Sequence, residues 1–362
     1  MRAFRCDHCG QLVFFENSLC LRCESALGFV PSTQEIHALV GEREGLRRCA
    51  NLQLAECNWV VEDEGEELCR SCRITAVRPA DDDPEGLENY ASAEAAKRRI
   101  IYQLMDLNLP FDGDDQTLVF ELKSSTKAPV TTGHADGVIT LDLAESDDAQ
   151  RVARREQLGE AYRTMLGHYR HELGHYYQSI LLPTEDEWDR ERALFGDERE
   201  SYQEAMDRHY ASGPPADWED HFVSAYATMH PWEDWAETFA HYLHIRDTLQ
   251  TAADFGMSVD GPQAAADDRD FKAAPQPEAG ERGFREVLDN WLPLTYALNQ
   301  VNRSMGLDDL YPFALADEVI AKLAYMHSRI HALETGAEAP GPAPVPAGVV
   351  EEAPAEDVSP AG

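Results

Sequence analysis

Along most of the chain, apolar residues return every three or four positions, the period of a helix that buries one face. From Ser92 to Leu109, Ile100, Ile101, Leu104 and Leu107 share one side, and Pro110 marks a stop. The same period predicts a long helix, or two abutting ones, over 150–182 and a heavily charged helical segment over 186–210. Further helices are predicted over 217–228, 231–250, 282–300 and 312–334. Strand patterns are few. Leu12-Val13-Phe14-Phe15 reads as a short strand, Thr117 to Leu122 (TLVFEL) as a second and Gly137 to Leu143 (GVITLDL) as a third. In the third, Val138, Thr140 and Asp142 alternate with Ile139, Leu141 and Leu143. Residues 259–281, rich in Gly, Pro, Ala and Asp, predict a mobile loop. From Thr335 to Gly362 the chain is almost only Ala, Pro, Gly, Val and Glu, which cannot bury enough apolar surface to order itself. The pattern predicts an α+β fold, mostly α, with a small sheet ahead of the long helix.

Composition divides this picture. The 362 residues are 43% hydrophobic, enough for a sizeable core. The net charge of −36 is unevenly spread: residues 1–80 carry 9 basic and 12 acidic groups, a net of −3, and the rest carry −33. Asp81-Asp82-Asp83-Pro84-Glu85-Gly86 reads as a polar linker between two bodies. The expected organisation is a cysteine-rich region over 1–80, a larger domain over 85–335 and a disordered tail over 336–362. An acidic surface repels nucleic-acid phosphate and anionic lipid, so no nucleic-acid or membrane partner is expected. The N-terminus lacks the apolar stretch of an export signal, and no run approaches the 18 apolar residues of a spanning helix. A cytoplasmic location is the expectation, where clustered cysteines bind metal rather than pair.

All eight cysteines fall in the first 72 residues. Cys6-x2-Cys9 is followed by Gly10, and Cys20-x2-Cys23 comes ten residues later. Each pair points two thiolates of one tight turn at a single cation, and two such turns complete a tetrahedral zinc shell. Cys49, Cys57, Cys69 and Cys72 make a second set, although ligands interleaved between the two sites are also compatible with the spacing. Closed four-thiolate sites hold small domains together and do no chemistry. The expected role of the ribbon is structural or protein-contacting.

The candidate chemistry lies in His171-Glu172-Leu173-Gly174-His175. Positions i and i+4 of a helix share a face, so both imidazoles reach one metal. Glu172 stands about 100° around the helix, beside the metal, where it accepts a proton from water instead of ligating. Met165, Leu166, Tyr169, Leu173 and Tyr176 form the apolar stripe of such a helix. Gly174 costs about 1 kcal/mol against Ala in mid-helix, but leaves room for another segment to come close. A catalytic zinc needs a third protein ligand and an open position. Downstream, Glu233 and Glu237 are again i and i+4, in a helix opened by Pro231. One of the two carboxylates can ligate, and the other can hydrogen-bond the outer nitrogen of a ligating histidine.

Taken together, HELGHYY and Glu233-Asp234-Trp235-Ala236-Glu237-Thr238-Phe239-Ala240 resemble the gluzincin metallopeptidases, close to the prenyl-protein (CAAX) endopeptidases and similar to anthrax lethal factor and its bacterial relatives. The whole chain, with its opening FRCDHCGQLVFFEN and its HPWEDWAETFAHYLH, resembles the bacterial zinc-binding metallopeptidase family with an N-terminal zinc ribbon over roughly residues 1–335. The resemblance implies a zincin-like domain holding one catalytic zinc beside two structural ones. It makes Glu233 the third ligand, with Glu237 orienting a histidine from behind. An aminopeptidase-like alignment of Trp235-Ala236-Glu237-Thr238-Phe239-Ala240 instead makes Glu237 the ligand, at the cost of a one-residue gap. In the lethal-factor-like families a tyrosine at the place of Tyr226 steadies the oxyanion, and His230 is an alternative donor. The strand Gly137–Leu143 stands where zincins hold extended peptides by backbone pairing, with His134 and Asp136 in a polar turn just before it. His168, Asp234, His241 and His244 read as supporting or packing residues. Two functions follow from different classes: a zinc peptidase acting on a peptide or protein substrate, with basic peptides favoured by the acidic body, or a zinc-bound scaffold whose helix metal does no chemistry. A fourth protein ligand such as His230 or His241 would close the site and favour the scaffold.

Overall fold

The computed structural model describes residues 2–40, 46–113, 118–126, 128–146, 164–261, 271–276 and 283–335. The N-terminal region is built from three two-stranded hairpins: β1 (Ala3–Arg5) with β2 (Leu12–Phe14), β3 (Leu27–Val30) with β4 (Glu35–Ala38), and β5 (Arg47–Arg48) with β6 (Val60–Val61). A one-turn helix α1 (Arg70–Arg73) and strand β7 (Thr75–Val77) follow. The body begins with α2 (Pro84–Asp106) and then β8 (Val119–Lys123), β9 (Gly133–Ala135) and β10 (Val138–Asp142). The helices α3 (Met165–Leu181), α4 (Glu185–Phe195), α5 (Tyr202–Ser212) and α6 (Pro231–Asp254) come next. A short pair, β11 (Val259–Asp260) with β12 (Lys272–Ala273), precedes α7 (Phe284–Ser304) and α8 (Asp317–Thr335).

The fold is mostly helical, with one four-stranded sheet of order β7-β8-β10-β9. β7, β8 and β10 run parallel, and β9 turns back antiparallel on β10. Asp136 and Gly137, both with positive φ (49° and 80°), make that two-residue hairpin turn, for which Asp-Gly is a favoured pair. The alternation of the third predicted strand holds over Val138–Leu141, where Ile139 and Leu141 are buried, and ends at Asp142, which is buried as well. Gly137–Leu143, where the zincin resemblance implies an edge strand for peptides, does not lie at an edge: β10 is flanked by β8 and β9, and the outer strands are β7 and β9.

Several elements differ from their sequence patterns for local reasons. Asp83, expected in a linker, caps α2 by accepting from Gly86 N at 2.9 Å, and Pro84 opens the helix. The helix predicted over 186–210 breaks at Gly196, whose φ of 100° no helix accommodates. Between 217 and 228 only two single turns form, Trp218–Asp220 and Tyr226–Thr228. The loop expected over 259–281 contains the β11–β12 pair, and 262–270 and 277–281 lie outside the described residues. So do 150–163 of the predicted long helix, whose remainder starts at an N-cap, Thr164, that accepts from Gly167 N, and the tail 336–362.

Two helices position the site. α3 lies on the sheet through Tyr169, edge-on to Phe120, and against α6 through Tyr177 stacked on Phe239. Each such buried aromatic contributes about 1.5–3 kcal/mol. The two backbones come unusually close at Gly174, where an added Cβ would stand 2.7 Å from Ala236 Cα. Trp235, buried between Phe195 and Tyr325, donates its indole N–H to the Gly174 carbonyl at 2.9 Å and so fastens the crossing.

Candidate metal centre

Because α3 is regular through the motif, His171 and His175 emerge on one face with their Nε2 atoms 3.2 Å apart. α6 crosses that face near its own N-terminus. His230 is the N-cap, accepting from Trp232 N at 3.1 Å, and Pro231 takes the first turn, which puts Glu233 over the two imidazoles. Its Oε2 lies 3.0 Å from His171 Nε2 and 3.5 Å from His175 Nε2. One turn further on, Glu237 reaches the opposite side of the ring, with Oε1 2.7 Å from His171 Nδ1. Ser224 donates to the other oxygen of Glu237 at 2.6 Å. The geometry therefore separates the two carboxylates: Glu233 shares the Nε2 side with both histidines, and Glu237 holds His171 from behind.

This set fits a zinc ion. In the neutral tautomer whose Nδ1–H donates to Glu237, the form a metal ligand takes, Nε2 would be a bare lone pair aimed at the same point as His175 Nε2 and Glu233 Oε2. Glu233 Oε2 is buried and accepts no hydrogen bond among the described residues. Tetrahedral zinc with bonds of about 2.0–2.1 Å sets its nitrogen and oxygen ligands about 3.3 Å apart, against the 3.0, 3.2 and 3.5 Å found. Glu172 is buried beside the cluster, with Oε2 unpaired among the described residues. Burial pushes its carboxyl above the usual range, with the neighbouring imidazoles pulling the other way. Burial also works against the charges of Glu233 and Glu237, yet their histidine partners hold both below the usual range, Glu237 at about 2. His171 is held well above the usual imidazole range by the two carboxylates in spite of its burial.

The other expected residues fall around this centre. The Tyr226 ring lies 5.8 Å from that of His171. Burial keeps its hydroxyl protonated far above neutral pH. His230 serves as the cap and points Nε2 at the Glu200 carbonyl, 3.2 Å away. His241 hydrogen-bonds Tyr311 at 2.7 Å. Among the described residues, the donor set of His, Cys, Asp and Glu at this centre is His171, His175 and Glu233. His134 lies on β9, edge-on to Tyr176, and Asp136 is confined to the hairpin turn. Asp234 pairs with the buried Lys322 at 2.7 Å, which ties α6 to α8. His244 packs against Trp291 and Tyr311.

Two further neighbours lie outside the expected site residues. Tyr202, from α5, donates to Glu233 Oε1 at 2.9 Å. Trp232 lies over His175 with ring centroids 4.0 Å apart. Trp232 was detectable as part of the HPWEDW segment; Tyr202 sits 31 residues before its partner, with no periodic relation to it.

The cysteines form two separate clusters without interleaving, Cys6, Cys9, Cys20 and Cys23 in one and Cys49, Cys57, Cys69 and Cys72 in the other. Four thiolates at about 2.3 Å from zinc stand about 3.8 Å apart. The Sγ separations are 3.8 Å for Cys6–Cys23, 3.5 Å for Cys9–Cys20, and 3.7 Å for Cys57–Cys69 and Cys57–Cys72. None of the eight is paired in a disulfide. Gly10, at φ 74°, closes the first turn as expected. Glu24, at φ 56°, takes the same position after the second pair, and its N–H donates to the Cys20 carbonyl.

Comparison with known proteins gives the family. The family model described as "Putative zinc-binding metallo-peptidase" matches residues 86–329, and a zinc-ribbon domain model matches residues 3–83. The chain belongs to this zinc-binding metallopeptidase family and carries a zinc ribbon at its N-terminus. An uncharacterized protein of Mycobacterium tuberculosis (strain H37Rv) is 50% identical over 334 residues, 91% of this chain and 95% of that protein. An uncharacterized protein of Mycobacterium bovis matches with the same identity and the same coverage. No solved structure matches.

Proposed function

We propose that the protein is a zinc-dependent peptidase in which His171, His175 and Glu233 hold one catalytic zinc and the two cysteine clusters hold two structural ones. The observation that carries this reading is the meeting of three buried donor atoms from α3 and α6, with the Glu172 carboxyl beside them and no fourth His, Cys, Asp or Glu among the described residues joining the set. A structural site needs a fourth ligand, and the two candidates, His230 and His241, are turned to other partners. It also has no use for a buried carboxyl such as Glu172.

Zinc supplies Lewis acidity, which makes water a competent nucleophile near neutral pH and polarises the scissile carbonyl. Glu172 takes a proton from the attacking water at its carboxylate and passes it to the leaving amine. Its burial moves it toward the pH at which a group serves as both base and acid. Tyr226, held protonated, donates to the oxygen that gains charge at the carbonyl carbon. The outer strand β9 offers its edge to an extended peptide backbone, the task the zincin resemblance implies for β10. Glu237, held by Ser224, keeps the His171 ring oriented.

The substrate class favoured is a basic peptide or protein segment. The stretch 184–220, from which Tyr202 reaches the centre, carries 13 acidic and 4 basic residues. The steering field of such a surface draws cations. Among the described residues, no helix is long and apolar enough to cross a membrane. A cytoplasmic location is proposed on the eight unpaired thiols.

Metal analysis tests the reading. The parent chain is expected to hold three zincs, one of them removed by mild chelation together with peptide hydrolysis, and both are restored by added zinc. Two zincs per chain would favour the scaffold reading.

A further inference from the structure

α5 is an unusual helix to find over a metal centre. Of its eleven residues only Ala205 is fully buried, so little apolar packing holds it in place. Its first residue nevertheless reaches inward. The Tyr202 hydroxyl donates to Glu233 Oε1 at 2.9 Å, leaving Oε2 to face the two Nε2 atoms. The Tyr226 ring lies against the neighbouring His171, 5.8 Å between centroids. The Tyr202 ring is itself set in place, 5.4 Å from that of His230 and edge-on to Trp232 at 5.8 Å. One phenol thus touches the third donor and both residues that frame the start of α6.

We propose that Tyr202 is a positioning residue that makes Glu233 a one-oxygen metal ligand, so that α5 belongs to the working site. The proposal rests on the peptidase reading for the identity of the site. A carboxylate has two oxygens of equal basicity, and a buried one that is free to rotate presents either or both to a cation. A hydrogen bond to Oε1 removes that freedom and lowers the reorganisation needed when the metal binds. Outer partners of this kind typically change metal affinity by 10–100-fold. Phe at position 202 keeps the ring contacts with His230 and Trp232 and deletes only the hydroxyl.

The experiment is chelator competition on the full zinc-loaded chain, read as zinc released per chain, for the parent, Tyr202→Phe and Tyr210→Phe. Tyr210 is on the same helix and exposed, so its variant controls for changes to the helix surface. A His171→Ala, His175→Ala double variant identifies which zinc belongs to α3. The expected result is that Tyr202→Phe releases that zinc at about a tenfold or greater lower chelator strength. The four-thiolate zincs should not move, and Tyr210→Phe should match the parent. An unchanged release curve for Tyr202→Phe, in a parent with three zincs, overturns the role of Tyr202 and leaves the peptidase reading standing. A parent with only the two cysteine-bound zincs overturns both. Loss of affinity in Tyr210→Phe as well would assign the effect to the helix surface and also overturn the role of the Tyr202 hydroxyl.

Discussion

Glu233 and Glu237 are chemically identical and one helical turn apart, yet the geometry gives them different work. Glu233 faces the shared Nε2 side, so Glu233→Gln should lose the α3 zinc outright, because a neutral amide is a poor zinc ligand. Glu237→Gln should keep that zinc with about 10–100-fold weaker binding, since only the support behind His171 is lost. Zinc titration of the two variants checks this, and the reverse order would restore the aminopeptidase-like alignment. A second residue-scale prediction concerns Glu191, which is buried on α4 and accepts from Gln178 of the motif helix at 3.2 Å. Burial, aided by the charge of Glu198, pushes its carboxyl up to about 8. The folded chain then keeps a proton that the unfolded chain gives up from about pH 4.5. Stability from this group is present below that pH and is lost as pH rises through about 8. The melting temperature of the parent should therefore fall relative to Glu191→Gln between pH 5 and pH 8. Parallel pH profiles would contradict the assignment.

At the scale of elements, the crossing of α3 and α6 matters most. Helix propensity alone would make Gly174→Ala stabilising by about 1 kcal/mol. The added Cβ, however, meets Ala236 Cα at 2.7 Å and its carbonyl oxygen at 3.0 Å, both backbone atoms that cannot step aside. Overpacking of this kind costs about 1–3 kcal/mol, so the clash wins. Gly174→Ala should unfold at lower denaturant and bind the α3 zinc less tightly, because the two ligand-bearing helices are pushed apart. A stabilised variant would show that the crossing yields easily. The same crossing explains what the sequence made legible. His171, Glu172 and His175 obey the helix period, and the cysteine pairs obey a turn, so local spacing was enough. Glu233 lies 58 residues beyond His175; its spacing from Glu237 marks the pair as candidates, and only the resemblance chooses between them. Tyr202 has neither period nor motif, since its contact with Glu233 exists only once α5 is folded over α6. β9, at three residues, is too short to show alternation, and its pairing with β10 changed which strand forms the edge.

In the whole molecule, the ribbon and the helical body share one core, although charge and the polar stretch at 81–86 pointed to separate bodies. Phe15 and Phe29 of the ribbon pack on Tyr102 of α2, with centroids 5.1 and 5.7 Å apart, and Trp59 closes on Phe29 at 4.7 Å. β7 continues from the second cysteine cluster directly into the sheet that carries β9. Asp254, near the end of α6, accepts from Ala3 N, and Phe14 stacks on Phe255. The two cysteine clusters therefore belong to the same scaffold that aligns α3 and α6. In the proposed peptidase, that scaffold presents one zinc and one buried carboxyl to a peptide. The most direct measurement is a peptide-library digest, weighted toward basic sequences, by the purified full chain with Glu172→Gln beside it and zinc counted in both. The parent should cleave. The variant should retain three zincs and cleave at least about 100-fold more slowly, the lower end of what a positioned general base contributes. A variant that cleaves as fast as the parent, with its metal in place, would contradict the assignment of Glu172 and with it the mechanism.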